Sequence, residues 1–420
     1  MRLGDAAEYV GGITFTPSDV VLPGSPDAVV CMRTKNVQAE LDTRDLIAVP
    51  RKFVRRDDQL LREGDILVSS ANSWNLVGKC CYVPRLEYPA ALGGFISLLR
   101  PNPLVANPKY LYRWLAWEET QREVRALARQ TTNIANLPRE RFLDLDAPLP
   151  ALPEQSRIAA ILDEADALRR KRREALGLLD DLLRATFLEM FGDPVTNPMG
   201  WAERPLQEVI SSIEPGWSSN SLDHPAGPRE WGVLKVSAVS TGLFLEAENK
   251  AVESPVFARP PVTPRRGDLL FSRANTRELV AATCLVSADA PRRFLPDKLW
   301  RIACHPDRAR VEWLRFLLAH PAFHASLTKT ATGTSGSMLN VSQDKLLDMV
   351  APVPPVPRQR QFADVVWAAM AERSVVDSAL TATEKLFSSL LYRAFSRDFG
   401  APIPAGQGTQ VAVHGPLEGE

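Results

Sequence analysis

Two patterns alternate along the chain: short apolar runs fenced by Gly, Pro and Asn, and two much longer stretches whose apolar residues step by threes and fours. The short runs Ala28–Met32, Asp65–Ser70 and Cys80–Val83, and later Gly232–Val239, Asp268–Ser272 and Ala282–Val286, predict strands between turns. Aromatic residues at helical spacing predict a helix over Lys109–Gln130 (Tyr110, Trp114, Trp117) and another over Glu312–Thr328 (Trp313, Phe316). From Glu154 to about Phe191, a stripe of Ile158, Ile161, Ala165, Leu168, Ala175, Leu179 and Leu182 is interrupted at Arg172. Phe362, Val365, Ala369, Val376, Ala379 and Leu386 form a second stripe, with Thr383 at the position of Leu179. Stripes held over several heptads are coiled-coil-like, and a helix of about 38 residues is about 57 Å long.

The patterns occur twice in one order. Pro148 to Asp163 (PLPALPEQSRIAAILD) returns as Pro352 to Trp367 (PVPPVPRQRQFADVVW), with Gln155 and Gln359 in register, 204 positions apart. Arg62 to Asn72 (REGDILVSSAN) returns as Arg265 to Asn275 (RRGDLLFSRAN), and Asn136 falls opposite Asn340. A period this long marks a duplicated domain and not an array of small units. Pro153 and Pro357 suit the first turn of a helix, where a missing N–H costs nothing. If the halves are related by a twofold axis, the same face of each helix meets its counterpart and the two run antiparallel.

The fold expected is therefore α/β (α+β): two tandem, pseudo-twofold-related globular domains separated by two long antiparallel coiled-coil helices. The expected divisions are a first domain at 1–150, a first spacer helix at 151–197, a second domain at 198–352, a second spacer helix at 353–399 and a disordered tail at 400–420. Gly64-Asp65 and Gly267-Asp268 are expected to be turns that feed strands.

Composition narrows the classes. The five cysteines include no CxxC pair, no secretory leader opens the sequence and no apolar run reaches about 18 residues, which points to a cytoplasmic protein with no membrane span. Net charge is zero, yet residues 1–150 hold 19 basic and 18 acidic groups and 198–352 hold 18 and 16, so each large domain is slightly positive. Nucleic-acid binding then requires local clustering of cations. Arg51, Lys52, Arg55 and Arg56 make one cluster, and Arg265, Arg266, Arg273 and Arg277 another; a solvated face accounts for either equally well.

Catalytic constellations are missing. The sequence has no G-x-G-x-x-G, no phosphate-loop motif, no G-x-S-x-G elbow and no N-P-P-Y or D-P-P-Y tetrapeptide. His320 and His324 have the spacing of a metal pair but enclose Pro321 and lack the following Glu, so no metal site is expected. Asp223 with Glu248-x-Lys250 is the nearest approach to a metal-dependent nuclease centre, a spacing that chance also supplies in so charged a chain. The chain is read as a binding protein with no catalytic, cofactor or metal residues of its own.

A globular domain, then P-x-L/V-P-x-x-E/R-Q and a long amphipathic helix, then both again, resembles the specificity subunit of type I restriction-modification systems over residues 1 to 399. The second copy departs from the pattern, with Arg358 at the place of Glu154 and Trp367 at that of Asp163. The resemblance implies that each domain reads one half of a split double-stranded DNA target, while the helices fix the gap and dock methyltransferase subunits, two in number. Restriction subunits are a further implied partner, and S-adenosylmethionine belongs to the methyltransferase subunit. Divergence between the domains predicts an asymmetric target. No base-reading residue carries over by motif, so candidates come from polar and basic residues near the repeated turns: Lys35, Arg51, Arg55, Asn72, Ser73 and Trp74, and Lys235, Arg273, Asn275, Thr276 and Arg277. Asn72 and Asn275 equally suit a turn. Thr131, Thr132 and Asn133, with Thr334, Ser335 and Ser337 in the loop TGTSGS, are secondary candidates for phosphate contacts. The residues leave two other classes open, a self-contained DNA-modifying or DNA-cleaving enzyme and a structural adaptor without DNA affinity.

Overall fold

The computed structural model describes residues 1–132, 134–253, 260–331 and 339–396. Asn133, Thr334, Ser335, Ser337 and the predicted tail at 400–420 lie outside them. The chain forms two compact units, one of residues 1–171 with the chain from 380 onward, the other of residues 172–379. Each unit thus takes one part of either long helix, Leu152–Phe191 and Val356–Phe395.

In the first unit the strands are, in chain order, β1 (Ala7–Gly11), β2 (Ala28–Met32), β3 (Ile47–Pro50), β4 (Ile66–Ser69), β5 (Ala71–Asn72), β6 (Cys80–Tyr82), β7 (Ala90–Leu92), β8 (Ile96–Pro101), β9 (Arg129–Gln130) and β10 (Ala135–Asn136). They make sheets of order β1-β8-β4-β6, β3-β2-β7 and β5-β10-β9, with β2 and β7 parallel. Side chains on a strand alternate between faces, and β4 uses both. Ile66 and Val68 pack among helix residues such as Tyr110, Leu111 and Trp114, whereas Leu67 joins Val30, Met32 and Leu92 of the second sheet.

The second unit runs β11 (Glu203–Pro205), β12 (Ile210–Pro215), β13 (Gly232–Leu234), β14 (Asn249–Ala251), β15 (Leu269–Ser272), β16 (Ala274–Asn275), β17 (Thr283–Leu285), β18 (Arg293–Phe294), β19 (Leu299–Cys304), β20 (Leu339–Asn340) and β21 (Val350–Pro352). Its main sheet, β12-β19-β15-β17, has the connectivity of β1-β8-β4-β6, and β13 pairs with β18 in parallel as β2 does with β7. Leu269 and Phe271 face the helices and Leu270 the opposite core, the division seen in β4.

The repeated Gly-Asp pairs are turns. Gly64 and Gly267 have φ of 91° and 94°, which a side chain would strain. Asp65 accepts the Arg62 backbone N–H at 2.7 Å and the Arg100 guanidinium at 2.8 Å; Asp268 does the same for Arg265 at 2.8 Å and Arg301 at 3.4 Å.

Local chemistry corrects three predicted elements. The helix expected over Lys109–Gln130 is two, Pro108–Leu115 and Glu118–Leu127, because Trp117 turns extended to lay its ring near Phe395. That over Glu312–Thr328 splits into Val311–Ala319 and Pro321–Thr330 at Pro321, which has no N–H to continue the ladder and holds His320 extended. The run Gly232–Val239 is a strand only to Leu234; Ser237–Ser240 form a helical turn.

In the first unit Ile158, Ala159 and Leu162 pack with Phe387, Ala394 and Phe395, so the start of one long helix lies beside the end of the other. The second unit mirrors this with Leu183, Phe187 and Phe191 against Phe362, Val366 and Ala369, and Phe362 stands 5.7 and 5.3 Å from the Phe187 and Phe191 rings. Within each unit the helix segments are therefore antiparallel. The buried stripe differs from the predicted one: Leu168, Leu182, Val365 and Leu386 are exposed, while Leu162, Leu183, Val366 and Phe387 are buried. Each helix packs on a globular domain as well as on its partner segment, and that double demand rotates the apolar face by about one residue.

Candidate nucleic-acid interface

In the first unit the chain leaving β1 passes so close to the turn before β8 that a Cβ on Gly12 would stand 2.0 Å from the Gly93 carbonyl oxygen. Gly216 follows β12 in the second unit, and a Cβ there would stand 2.1 Å from the Leu295 carbonyl oxygen. Beside each approach lies a cleft, of about 870 Å³ in the first unit and about 230 Å³ in the second.

The frames of the two clefts coincide residue by residue. Arg33 and Lys235 each follow directly on β2 or β13, and Phe95 and Lys298 each precede β8 or β19. The Phe95 carbonyl accepts the Ser70 N–H at 3.0 Å, and the Lys298 carbonyl accepts the Arg273 N–H at 3.0 Å. Phe15 lines the first cleft where Ser219 lines the second.

The linings have diverged. The first offers the rings of Phe15 and Phe95, the latter 63% exposed, beside Arg33, whose guanidinium donates to the Asp45 carboxylate at 3.3 Å. The second offers Ser219, Lys235 and Lys298. Lys235 lies 3.4 Å from Glu248, and Lys298 has no ion pair among the described residues. Glu248 is held below the usual carboxylate range by the Ser237 hydroxyl and then by Lys235. An aromatic and guanidinium cleft suits guanine edges and thymine methyls, whereas hydroxyls and ammonium groups suit other hydrogen-bonding edges.

Of the predicted candidates, only Lys235 lines a cleft. Arg273 acts on one: its Nε donates to the Asp297 carbonyl at 3.0 Å and fixes that wall, while the Asp297 carboxylate accepts the Ser218 hydroxyl at 2.5 Å. Asn72, Ser73 and Trp74, like Asn275, Thr276 and Arg277, begin two residues after Ser70 and Arg273, the residues bonded to the cleft lips. Both asparagines cap the next residue's N–H, at 2.8 and 2.9 Å, so their repetition reflects the turn. Trp74 and Arg277 are exposed.

Other candidates stand apart from the clefts. Lys35 pairs with Asp45, which also takes Arg33. Arg51 bonds Asp57 at 2.8 Å and the Val54 carbonyl at 3.0 Å, so its charge is satisfied locally; Arg55 is exposed on the same segment. Arg266 lies over the Trp367 ring at 4.6 Å, so it faces the second long helix. Thr131 and Thr132 are exposed beside β9.

Phe15, Arg33, Phe95, Ser219 and Lys298 were not singled out from sequence. Their only signal is position, one to four residues outside repeated strands.

Asp223 and Glu248 engage Lys250 (2.9 Å) and Ser237 (2.6 Å), and no group of three or more His, Cys, Asp or Glu is placed to hold a metal among the described residues. Burial pushes the Cys31, Cys81, Cys284 and Cys304 thiols up to about 12, far from a reactive thiolate. No helix of the described residues is long and apolar enough to cross a membrane.

Residues 1–177 match the family described as type I restriction modification DNA specificity domain. Over 411 residues, 93% of this chain and 87% of the relative, the sequence is 23% identical to the type I restriction enzyme EcoKI specificity subunit of Escherichia coli K12. Over nearly its whole length the chain is thus similar to a type I specificity subunit. Over 175 residues, 41% of this chain and 29% of the relative, the sequence is 29% identical to the type I restriction enzyme EcoEI specificity subunit of Escherichia coli. The fold matches that of a type I restriction-modification S subunit from M. genitalium, with a TM-score of 0.61 at 14% identity, covering 94% of this chain and 95% of that one.

Proposed function

We propose that this chain acts as a specificity subunit and reads a bipartite, asymmetric double-stranded DNA target, one half with the globular domain at 1–150 and the other with that at 198–352. The observation that carries the reading is the pair of clefts: one frame, repeated down to its hydrogen bonds, with linings of opposite character. Two identical readers would favour a palindrome. Two different linings favour two different half-sites.

The helices at 151–197 and 353–399 set the gap between half-sites and dock two methyltransferase subunits, with restriction subunits as further partners. S-adenosylmethionine and the methyl transfer belong to the methyltransferase subunit, and this chain contributes recognition in the cytoplasm.

Co-expression with the methyltransferase subunit tests the proposal. The expected result is a complex that binds DNA in a sequence-dependent, salt-sensitive manner and methylates adenine within a split, non-palindromic site. Methylation of one continuous palindrome, or failure of the subunits to associate, would overturn it.

A further inference from the structure

In the first unit, the globular domain meets the first long helix through Arg113, whose guanidinium donates to Asp163 at 2.8 Å and Asp166 at 3.1 Å. Both carboxylates sit on that helix. Displaced by 204 residues, the same helical positions in the second unit are Trp367 and Met370. Trp367 donates its indole N–H to Glu312 at 2.8 Å, and Met370 lines a cavity of about 60 Å³.

Three guanidiniums also line that cavity, one from each element that meets there: Arg315 from the globular domain, Arg184 from the first long helix and Arg373 from the second. They face one carboxylate, Asp180, already bonded to Arg373 at 2.6 Å. Arg184 pairs at the surface with Asp181 at 3.7 Å. Arg315 has no carboxylate partner among the described residues. Its Nη2 donates to the Gly242 carbonyl at 3.2 Å, and its plane lies 4.4 Å from the Phe316 ring centre. Gly242, with φ of 81°, has no side chain where a Cβ would press to 3.0 Å from that nitrogen. Burial, with the nearby Arg184 and Arg373 charges, pulls the Arg315 guanidinium below its ordinary range despite the opposing pull of Cys284 and Asp180. A desolvated cation without a counter-charge is costly, and a bound anion relieves it.

We propose that this cavity binds a small oxyanion, inorganic phosphate or sulfate, held by Arg315, Arg373 and Arg184. The ion stands in the second unit for the carboxylates that Asp163 and Asp166 supply in the first, and joins the globular domain to both helix segments. At about 10–15 Å³ for each oxygen-sized position, 60 Å³ takes about four to six atoms, the size of a tetrahedral oxyanion. Guanidinium forks match such an ion geometrically.

The test uses the full chain at constant ionic strength, with inorganic phosphate or sulfate exchanged for chloride. Phosphorus NMR and calorimetry should show saturable binding of one phosphate. At about ten times the dissociation constant, the thermal transition of the second unit should rise by about 3–6 °C. Arg315→Gln should weaken binding at least tenfold. Arg184→Gln, at an exposed position that does not threaten folding, should weaken it severalfold, and Arg85→Gln, at an exposed position in the first unit, should leave it unchanged. A linear, non-saturating rise shared by every variant is the general effect of excluded salts and would overturn the proposal. So would a response to duplex DNA but none to free phosphate.

Discussion

The Gln155 side chain accepts the Asn107 backbone N–H at 2.8 Å and, from its amide nitrogen, donates to the Val105 and Pro150 carbonyls at 2.9 and 2.8 Å. The side chain is fully buried and ties the first turn of the long helix to the globular domain. Gln359 repeats the device, accepting from Arg310 at 2.8 Å and donating to Pro354 at 2.7 Å. Leucine fills the volume but leaves the partners unsatisfied. Gln155→Leu should cost the first unit about 3 kcal/mol, and Gln359→Leu the second about as much, as the sum of several buried groups left unpaired. Urea unfolding followed by helical circular dichroism measures this, and a loss below about 1 kcal/mol would remove the amide from the account of the joint.

Gly12 and Gly216 each need the absence of a Cβ for a different reason from the turn glycines, since backbone carbonyls and not φ exclude it. Alanine at either should destabilise its own unit by about 3 kcal/mol and distort the adjacent cleft. Denaturant midpoints report the first effect. Methylation mapping of the co-expressed complex reports the second as altered choice at one half-site only.

The Asp163 carboxyl is subject to opposing influences. Burial raises its pKa, but the Lys109 and Arg113 hydrogen bonds outweigh burial and hold it below the usual 3.8. A carboxyl depressed in the folded state contributes stability that is present above its unfolded value and lost as pH falls through the folded one. Stability of the first unit should therefore fall more steeply below about pH 4 in the unaltered chain than in Asp163→Asn. Parallel pH profiles of the urea midpoint would show that the pair contributes nothing.

Phe95 and Lys298 occupy equivalent lips of the two clefts, Phe95 largely exposed and Lys298 without an ion pair among the described residues, so alanine at either should change stability by less than about 1 kcal/mol. Each should instead relax recognition at one half-site, by about 1–3 kcal/mol for a lost base contact, and leave the other half unchanged. Sequencing of methylated sites from complexes carrying each variant distinguishes the halves. A uniform loss at both would mean that these residues do not read bases.

The frame was legible in the sequence because frames repeat: the Gly-Asp turns, the strand runs and the proline lead-ins recur at a fixed displacement and keep their roles. The cleft linings were not, because divergence removes the signal that repetition supplies. Phe95 and Lys298 share no chemistry, and only the Ser70 and Arg273 N–H bonds to their carbonyls align them. The helix stripe was read one residue off, Leu182 for Leu183, because periodicity locates an apolar face but not the several surfaces it must satisfy. The helix breaks at Trp117 and Pro321 differ in the same way: the proline was readable, while the tryptophan's bend depends on Phe395, far away in the chain.

The first unit is finished by Phe387, Ala394 and Phe395, more than two hundred residues after its own helix segment ends at Lys171. At about 5–20 residues per second, a ribosome takes about 10–40 s to deliver them. Until then Ile158, Leu162 and Trp117 lack their covering residues. The second unit uses residues only up to 379, so it is complete before the unit that precedes it in sequence. The order of synthesis and the order of completion are reversed, and a chain cut short near its end forfeits the first reader and keeps the second.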